Sequence, residues 1–200
     1  MARASKLEAR RDEFTPIIAA AFAELGYRRA TTAELARRCG VQETILYRIW
    51  PDKKAMFMAA IGSIYETSIR TWEKLVGDGA PRSGTARQIL EYETRHQGEF
   101  GLYRIVFAGL SETDDEDIHA ALKAMYARFH EFIHAQIIAH RDAVPGSEGP
   151  EAALAAWAVL GLGTVVNIGR ELGLMSEGLR KDLVAEIGGM LLEGHGADSK

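Results

Sequence analysis

Residues 31–50 read TTAELARRCGVQETILYRIW, and this stretch decides the fold. Thr31 with Glu34 three residues on is a capping box, in which a hydroxyl and a carboxylate satisfy the first free N–H groups of a helix. The helix it opens is short: it holds Leu35 and Ala36 and closes at Gly40. Another short helix follows, from about Gln42 to Trp50, stopped by Pro51. Thr32, Leu35, Ala36, Val41, Leu46 and Ile49 or Trp50 supply apolar positions that hold the pair at a fixed angle. Two short helices across a tight glycine turn make a helix-turn-helix if the second can enter the major groove of DNA.

The flanking sequence is helical too. Upstream, Ile17, Ile18, Ala21, Phe22 and Leu25 share one face of a helix that Gly26 ends. Thr15-Pro16 has the form of a cap followed by proline at the first helical position, so residues 1–14 read as an arm or a loosely attached turn. Downstream, Asp52 can cap a long fourth helix to about Val76, and Gly77-Asp78-Gly79-Ala80-Pro81 reads as a loop. Further helices are expected at about 84–97, 99–110, 114–141, 150–173 and 177–193. Thr113 with Asp114, Asp115, Glu116 and Asp117 is expected to start the longest of them, because carboxylates favour the positive end of the helix dipole. Pro145 to Pro150 is the clearest later break. Alternating strand patterns are nearly absent and no repeat is evident, so the fold class is all-α.

Composition fits a globular protein: 200 residues, 47% hydrophobic and 26% charged. The single cysteine, Cys39, excludes a disulfide framework within one chain and reads as a small buried hydrophobe. Met1 to Arg11 is polar, without the apolar run of a secretory signal, and the expected location is cytoplasmic. The net charge of −4 conceals an asymmetry. Residues 1–54 hold 11 Lys/Arg against 7 Asp/Glu, and the remainder holds 13 against 21. A basic end on an acidic body suits a protein that meets phosphates with one end only.

The chain resembles the tetracycline-repressor-like (TetR) family. AAAFAELGY (19–27), ATTAELARRCGV (30–41) and LYRIWPDKKAMF (46–57) carry the resemblance, followed by a long helical body. It implies a three-helix DNA-binding domain over residues 1–50 and a helical ligand-binding and dimerisation domain over 51–200. It implies phosphate contacts from Thr31, Thr32, Tyr47 and Lys53, with Arg48 beside them. Gln42, Glu43 and Thr44, at the start of the second motif helix, would face base edges, where Gln can bond adenine and Glu can accept from the cytosine amino group. Ile45 and Ile49 depart from the family pattern, and Glu43 brings negative charge close to DNA.

The resemblance also implies a homodimer built from the last two long helices, through Leu154, Trp157, Ala158, Leu162, Val165, Leu172, Leu183, Ile187 and Leu191. A small apolar or aromatic effector would bind in the body and loosen the grip on DNA. Tyr65, Ile69, Trp72, Tyr92, His96, Tyr103, Phe107, Met125, Phe129 and Trp157 are its candidate lining. The expected function is a ligand-responsive transcriptional regulator, a repressor released from a palindromic operator. The alternative is a helical ligand sensor that has lost specific DNA binding.

Three other signals carry less. His130-Glu131-Phe132-Ile133-His134 matches the zinc-protease pattern H-E-x-x-H, and His140 falls where a third ligand would stand. That pattern needs glycine where Ile137 stands, and on a continuing helix His140 lies about 9 Å beyond His134 along the axis. The expected core stripe is Ile118, Leu122, Met125, Phe129, Ile133 and Gln136, with the histidines at its edge. No catalytic residue, metal or cofactor is therefore expected. Residues 152–169 carry no charge, yet Gly161, Gly163, Thr164, Asn167 and Gly169 dilute them, so a covered interface helix is expected rather than a membrane span. Gly161-x-Gly163 follows no strand and has Val166 at the third glycine position of a dinucleotide fingerprint.

Overall fold

The computed structural model describes residues 2–76, 82–98, 101–147 and 149–193, with the backbone alone at 2–5, 76 and 82–84. The expected loop at 77–81 lies outside the described residues. Among the described residues there are nine helices and no strand, so the fold is all-α. They are α1 (Ala2–Arg29), α2 (Thr32–Arg38), α3 (Glu43–Leu46), α4 (Lys53–Val76), α5 (Arg82–His96), α6 (Tyr103–Leu110), α7 (Glu116–Ala143), α8 (Ala152–Glu171) and α9 (Glu177–Glu193). They fall into two compact units: residues 1–67 with 100–126, and 68–99 with 127–200.

In the first unit, α1 packs against α6 and α2, and α2 against α3. Ile18, Phe22, Leu35, Leu46, Trp50, Met56, Phe57, Ile61 and Ile105 are fully buried there. Phe22 meets Phe57 edge-on at 4.9 Å, and Tyr27 lies 4.7 Å from Phe57. The helix α1 does not begin at Thr15-Pro16 as expected but runs continuously through them. Two features explain it. Pro16 is on the exposed side, where water can satisfy the carbonyl one turn back that its missing N–H leaves free. Before it, Phe14 is buried, and the Arg11 guanidinium lies 5.8 Å from the centre of the Trp50 ring, so the first turns have something to pack on. The expected break at Gly26 is present, with φ +74 and ψ 168.

The second unit has its own core. Ala86 of α5, Ile137 of α7, Ala155 and Ala156 of α8 and Leu192 of α9 are buried together. Gly188 lets α9 come close to α5: a Cβ there would lie 2.5 Å from Leu90 Cδ1. Arg141 closes the end of α9 by donating to the Leu191 carbonyl at 2.9 Å and the Leu192 carbonyl at 3.3 Å. On α8, Ala155, Ala156, Val166 and Gly169 are buried, while Leu154, Trp157, Val165 and Leu172 remain exposed, Leu154 at 64% and Leu172 at 66%. By length and composition alone α8 would also serve as a membrane span.

The helix α7 begins two residues later than its acidic run suggests. Asp115, not Thr113, is the cap, accepting from the Asp117 N–H at 3.0 Å and the Ile118 N–H at 3.2 Å. The Thr113 hydroxyl instead donates back to the Leu110 carbonyl. Its buried stripe starts as expected at Ile118, Leu122 and Met125 but passes to Ile137 and His140 rather than Gln136. The two halves of α7 belong to different units, and in the second the buried face is set by the core that Ile137 shares with Ala86, Ala155, Ala156 and Leu192.

Candidate nucleic-acid interface

The helix-turn-helix is built on α2 and α3. Thr31 is the N-cap of α2, and its hydroxyl accepts from the Glu34 N–H at 3.2 Å. Only this half of the capping box forms. The Glu34 carboxylate turns away to Arg37, at 2.7 and 2.8 Å, and to Arg38 at 2.8 Å. Those guanidinium groups hold its pKa down at about 2. Arg38 also reaches Glu24 on α1 at 2.6 Å, which ties the second helix to the first. Gly40 makes the turn with φ +67, and the Val41 N–H closes onto the Ala36 carbonyl at 3.0 Å.

The helix α3 is shorter than the expected span to Trp50. It ends at Leu46, and residues 47–49 continue as tighter turns, with Ile49 N–H bonding the Leu46 carbonyl at 2.9 Å. Burial of Leu46 and Trp50 anchors this segment from below. Gln42, Thr44, Tyr47 and Arg48 are exposed on its outer side, Tyr47 at 48%. Ile45 and Ile49 are half-buried, so neither departure from the family pattern lies fully on the outer surface.

Three of the expected contact residues are linked. Tyr47 donates its hydroxyl to Thr32 Oγ1 at 3.2 Å, and Thr32 donates its own to Glu43 Oε2 at 2.6 Å. A threonine has one hydroxyl proton, so while this bond holds Thr32 cannot donate to a phosphate. The chain leaves the second oxygen of Glu43 available as an acceptor. Lys53, at the start of α4, donates to the Tyr27 carbonyl at 3.0 Å and sits 4.4 Å above the Tyr27 ring. That uses one of three ammonium protons. Asp52 caps α4, accepting from the Ala55 N–H at 2.7 Å.

Three further ion pairs, missed by the sequence reading, brace this unit. Arg28 meets Glu112 at 2.7 Å, and Lys54 reaches Asp115 at 3.1 Å and Asp117 at 2.6 Å. Pairing raises the pKa of Lys54 and lowers that of Asp115. Sequence separations of about 60 to 80 residues leave no local signature for such pairs. Cys39 is half-buried rather than buried as expected, and burial pushes its thiol pKa up.

The ten candidate ligand residues divide between the units. Tyr65, Tyr103, Phe107 and Met125 belong to the first, and Ile69, Trp72, Tyr92, His96, Phe129 and Trp157 to the second. In the first unit Met125 is buried and Tyr103 meets Phe107 edge-on at 5.7 Å. In the second, Trp72 is buried, with Phe129 6.1 Å from it edge-on and Phe132 stacked at 5.2 Å. Tyr92 stacks on His96 at 4.3 Å. Trp157 is exposed and stacks on His130 at 4.7 Å. An open cleft of about 420 Å³ between residues 25–29 and Ala108, Ser111 and Glu112 is lined by none of the ten. Glu93 and Phe132 belong to the same cluster as Trp72 and were not singled out from sequence; Trp72 Nε1 donates to Glu93 Oε1 at 2.8 Å. His130 and His134 stack at 6.0 Å, and His130 Nε2 bonds the Ala153 carbonyl at 3.1 Å. Among the described residues no three His, Cys, Asp or Glu side chains gather as a metal site.

Residues 17–60 match the family described as bacterial regulatory proteins, tetR family. An uncharacterised HTH-type transcriptional regulator of Mycobacterium bovis is 32% identical over 76 residues, 38% of this chain and 39% of the relative. The match thus spans about two fifths of the length of that curated relative. Among solved structures, a protein of Rhodococcus sp. described as a TetR-family transcriptional regulator superposes with TM-score 0.75 at 17% identity, over 92% of this chain and 98% of the other. A transcriptional regulator of Saccharomonospora viridis, solved in complex with choline, gives TM-score 0.71 at 15% identity over 92% and 96%.

Proposed function

We propose that this chain, whose N-terminal segment belongs to the tetR family and whose fold is that of solved tetR-family regulators, is a ligand-responsive DNA-binding transcriptional regulator. In this reading it is a cytoplasmic repressor without catalytic activity. It acts as a homodimer and is released from a near-palindromic operator by a small apolar or aromatic effector. The observation that carries the reading is the outer edge of the helix-turn-helix. Gln42, Thr44, Tyr47 and Arg48 are exposed together on a segment whose inner side, Leu46 and Trp50, is fixed in the core.

Phosphates fall to Thr31, Tyr47, Arg48 and Lys53, which position the protein without reading sequence. Thr32 joins them through the hydroxyl chain to Tyr47 and Glu43. Base edges fall to Gln42, Thr44 and the outward oxygen of Glu43. Dimerisation through α8 and α9 is supported by the apolar face that the single chain leaves uncovered: Leu154, Trp157, Val165, Leu172, Ile187 and Met190 are all exposed. The domains of the proposal are residues 1–50 for DNA and 51–200 for ligand and partner. Residues of α4 belong to both compact units, so a ligand that favours one setting of this helix would shift the grip on DNA. That the Saccharomonospora viridis protein was solved with choline supports a small-molecule ligand here.

A genome-wide footprint of the purified protein tests the reading. The expected result is protection of near-palindromic sites whose half-sites lie about one helical turn, 34–36 Å, apart. Protection of no fragment at low salt would overturn it in favour of a ligand sensor that does not use DNA.

A further inference from the structure

Glu93 differs from the ion-paired carboxylates of this chain in the partner it has. Glu24, Glu34, Asp115 and Glu177 are each paired with arginine or lysine. Glu93 has no such partner among the described residues. Its one side-chain bond is the 2.8 Å hydrogen bond accepted by Oε1 from the Trp72 indole, and Oε2 takes none. Around that indole are aromatic rings, Phe132 stacked on it and Phe129 edge-on to it. The titratable neighbour is His96, one turn on along α5, whose Nδ1 donates to the Tyr92 carbonyl at 3.0 Å. Burial pushes the carboxyl pKa of Glu93 up, against the Trp72 hydrogen bond and the nearby His96, which favour the charged form.

A half-buried carboxylate with no arginine or lysine partner among the described residues, and only His96 as a titratable neighbour, is unfavourable for folding. Its presence fits a group that gains its counter-charge from a ligand. Aromatic walls suit the same ligand, because ring faces attract cations and bury apolar carbon. We propose that Glu93 and Trp72, with Phe129 and Phe132, recognise an organic cation with an apolar body, an amine or quaternary ammonium. This rests on the reading that the second unit binds an effector, and it adds positive charge to that effector.

The experiment is calorimetric titration of the full-length protein with phenyltrimethylammonium and with tert-butylbenzene, its neutral isostere. The wild type is expected to bind the cation at least about tenfold more tightly than the isostere. Glu93→Gln keeps an acceptor for the Trp72 N–H and removes the charge, so it should bring the two probes to within about twofold of each other. Glu93→Asp should recover part of the preference. A wild type that binds the isostere as tightly as the cation, or that binds no cation up to about 10 mM, overturns the inference without requiring any variant to fold. So does a Glu93→Gln protein that keeps the preference. Operator binding, read in parallel, separates the two proposals. Cation binding that leaves DNA affinity untouched removes the release mechanism and leaves this site standing. A protein that holds its operator but ignores the cation removes only this site.

Discussion

Thr32→Val and Glu43→Ala, made singly and together, probe the hydroxyl chain that the helix-turn-helix presents to solvent. The bond between them is 2.6 Å long and joins a hydroxyl to a carboxylate. Hydrogen bonds to charged groups contribute about 1.5–3 kcal/mol, and a half-buried pair with water at hand keeps less, about 1 kcal/mol. In a chain of this length that lowers Tm by about 2–4 °C, measurable by circular dichroism. The effect on DNA should be larger than the effect on folding. If the outward oxygen of Glu43 accepts from a cytosine amino group, Glu43→Ala costs about 1–3 kcal/mol on the best site and relaxes preference at one base pair per half-site. Thr32→Val leaves the carboxylate in place but lets it swing, and should relax preference at that same base pair. With the carboxylate already gone, the threonine has nothing to orient, so the double variant should bind no worse than Glu43→Ala alone. Binding-site selection from random duplexes, followed by affinities on the selected site, gives the cycle. A coupling energy of about 1 kcal/mol is expected; additivity within about 0.3–0.5 kcal/mol would refute the claim that Thr32 positions Glu43.

Light scattering should give a mass near twice 22.0 kDa, and Leu162→Asp or Ile187→Asp should yield monomers or aggregates; a wild-type monomer at micromolar concentration would remove the two-half-site arrangement. Lys53→Ala should weaken all DNA sequences alike and flatten the salt dependence by about one unit of slope per lost contact in each subunit. A change in sequence preference instead would mean that the lysine lies against bases. The carboxyl of Glu34, followed by NMR, should titrate near 2 and return toward 4.5 when Arg37 and Arg38 are both replaced by methionine. Because the folded pKa is the lower one, the stabilisation from this cluster is complete above pH 4.5 and is lost as pH falls toward 2.

Local chemistry was the legible part of this molecule. The Thr31 cap, the turn at Gly40, the break at Gly26, the stop at Pro51 and the Asp52 cap each depend on residues within one turn of each other. Sequence therefore displays them directly. Where sequence misled, tertiary packing had overridden a local signal. Thr15-Pro16 is a good helix start, yet Phe14 and Arg11 have partners that keep the preceding turns helical. Glu34 is a good capping-box acid, yet two arginines compete for it. Of the site, residue types on the outer edge of α3 could be named from the motif. The Thr32–Glu43 bond, the Lys53–Tyr27 contact and the Trp72–Glu93 bond could not, because each depends on which side chain a fold sets opposite which.

The make-up of the first unit limits how this protein can be taken apart. That unit is not a continuous stretch of chain: residues 100–126 complete it, and α6 packs against α1. Cutting after residue 67 would bare the surface on which the fully buried Ile105 now rests and would delete the acceptors of Arg28 and Lys54. Exchange of the DNA-reading segment between relatives, by recombination or by design, would thus have to carry the α6–α7 corner with it. A graft of the motif helices alone would set their outer residues on an unsupported scaffold. Sequence drift in α6 should accordingly be tied to drift in α1, residue against residue, more closely than to anything in the helices that follow.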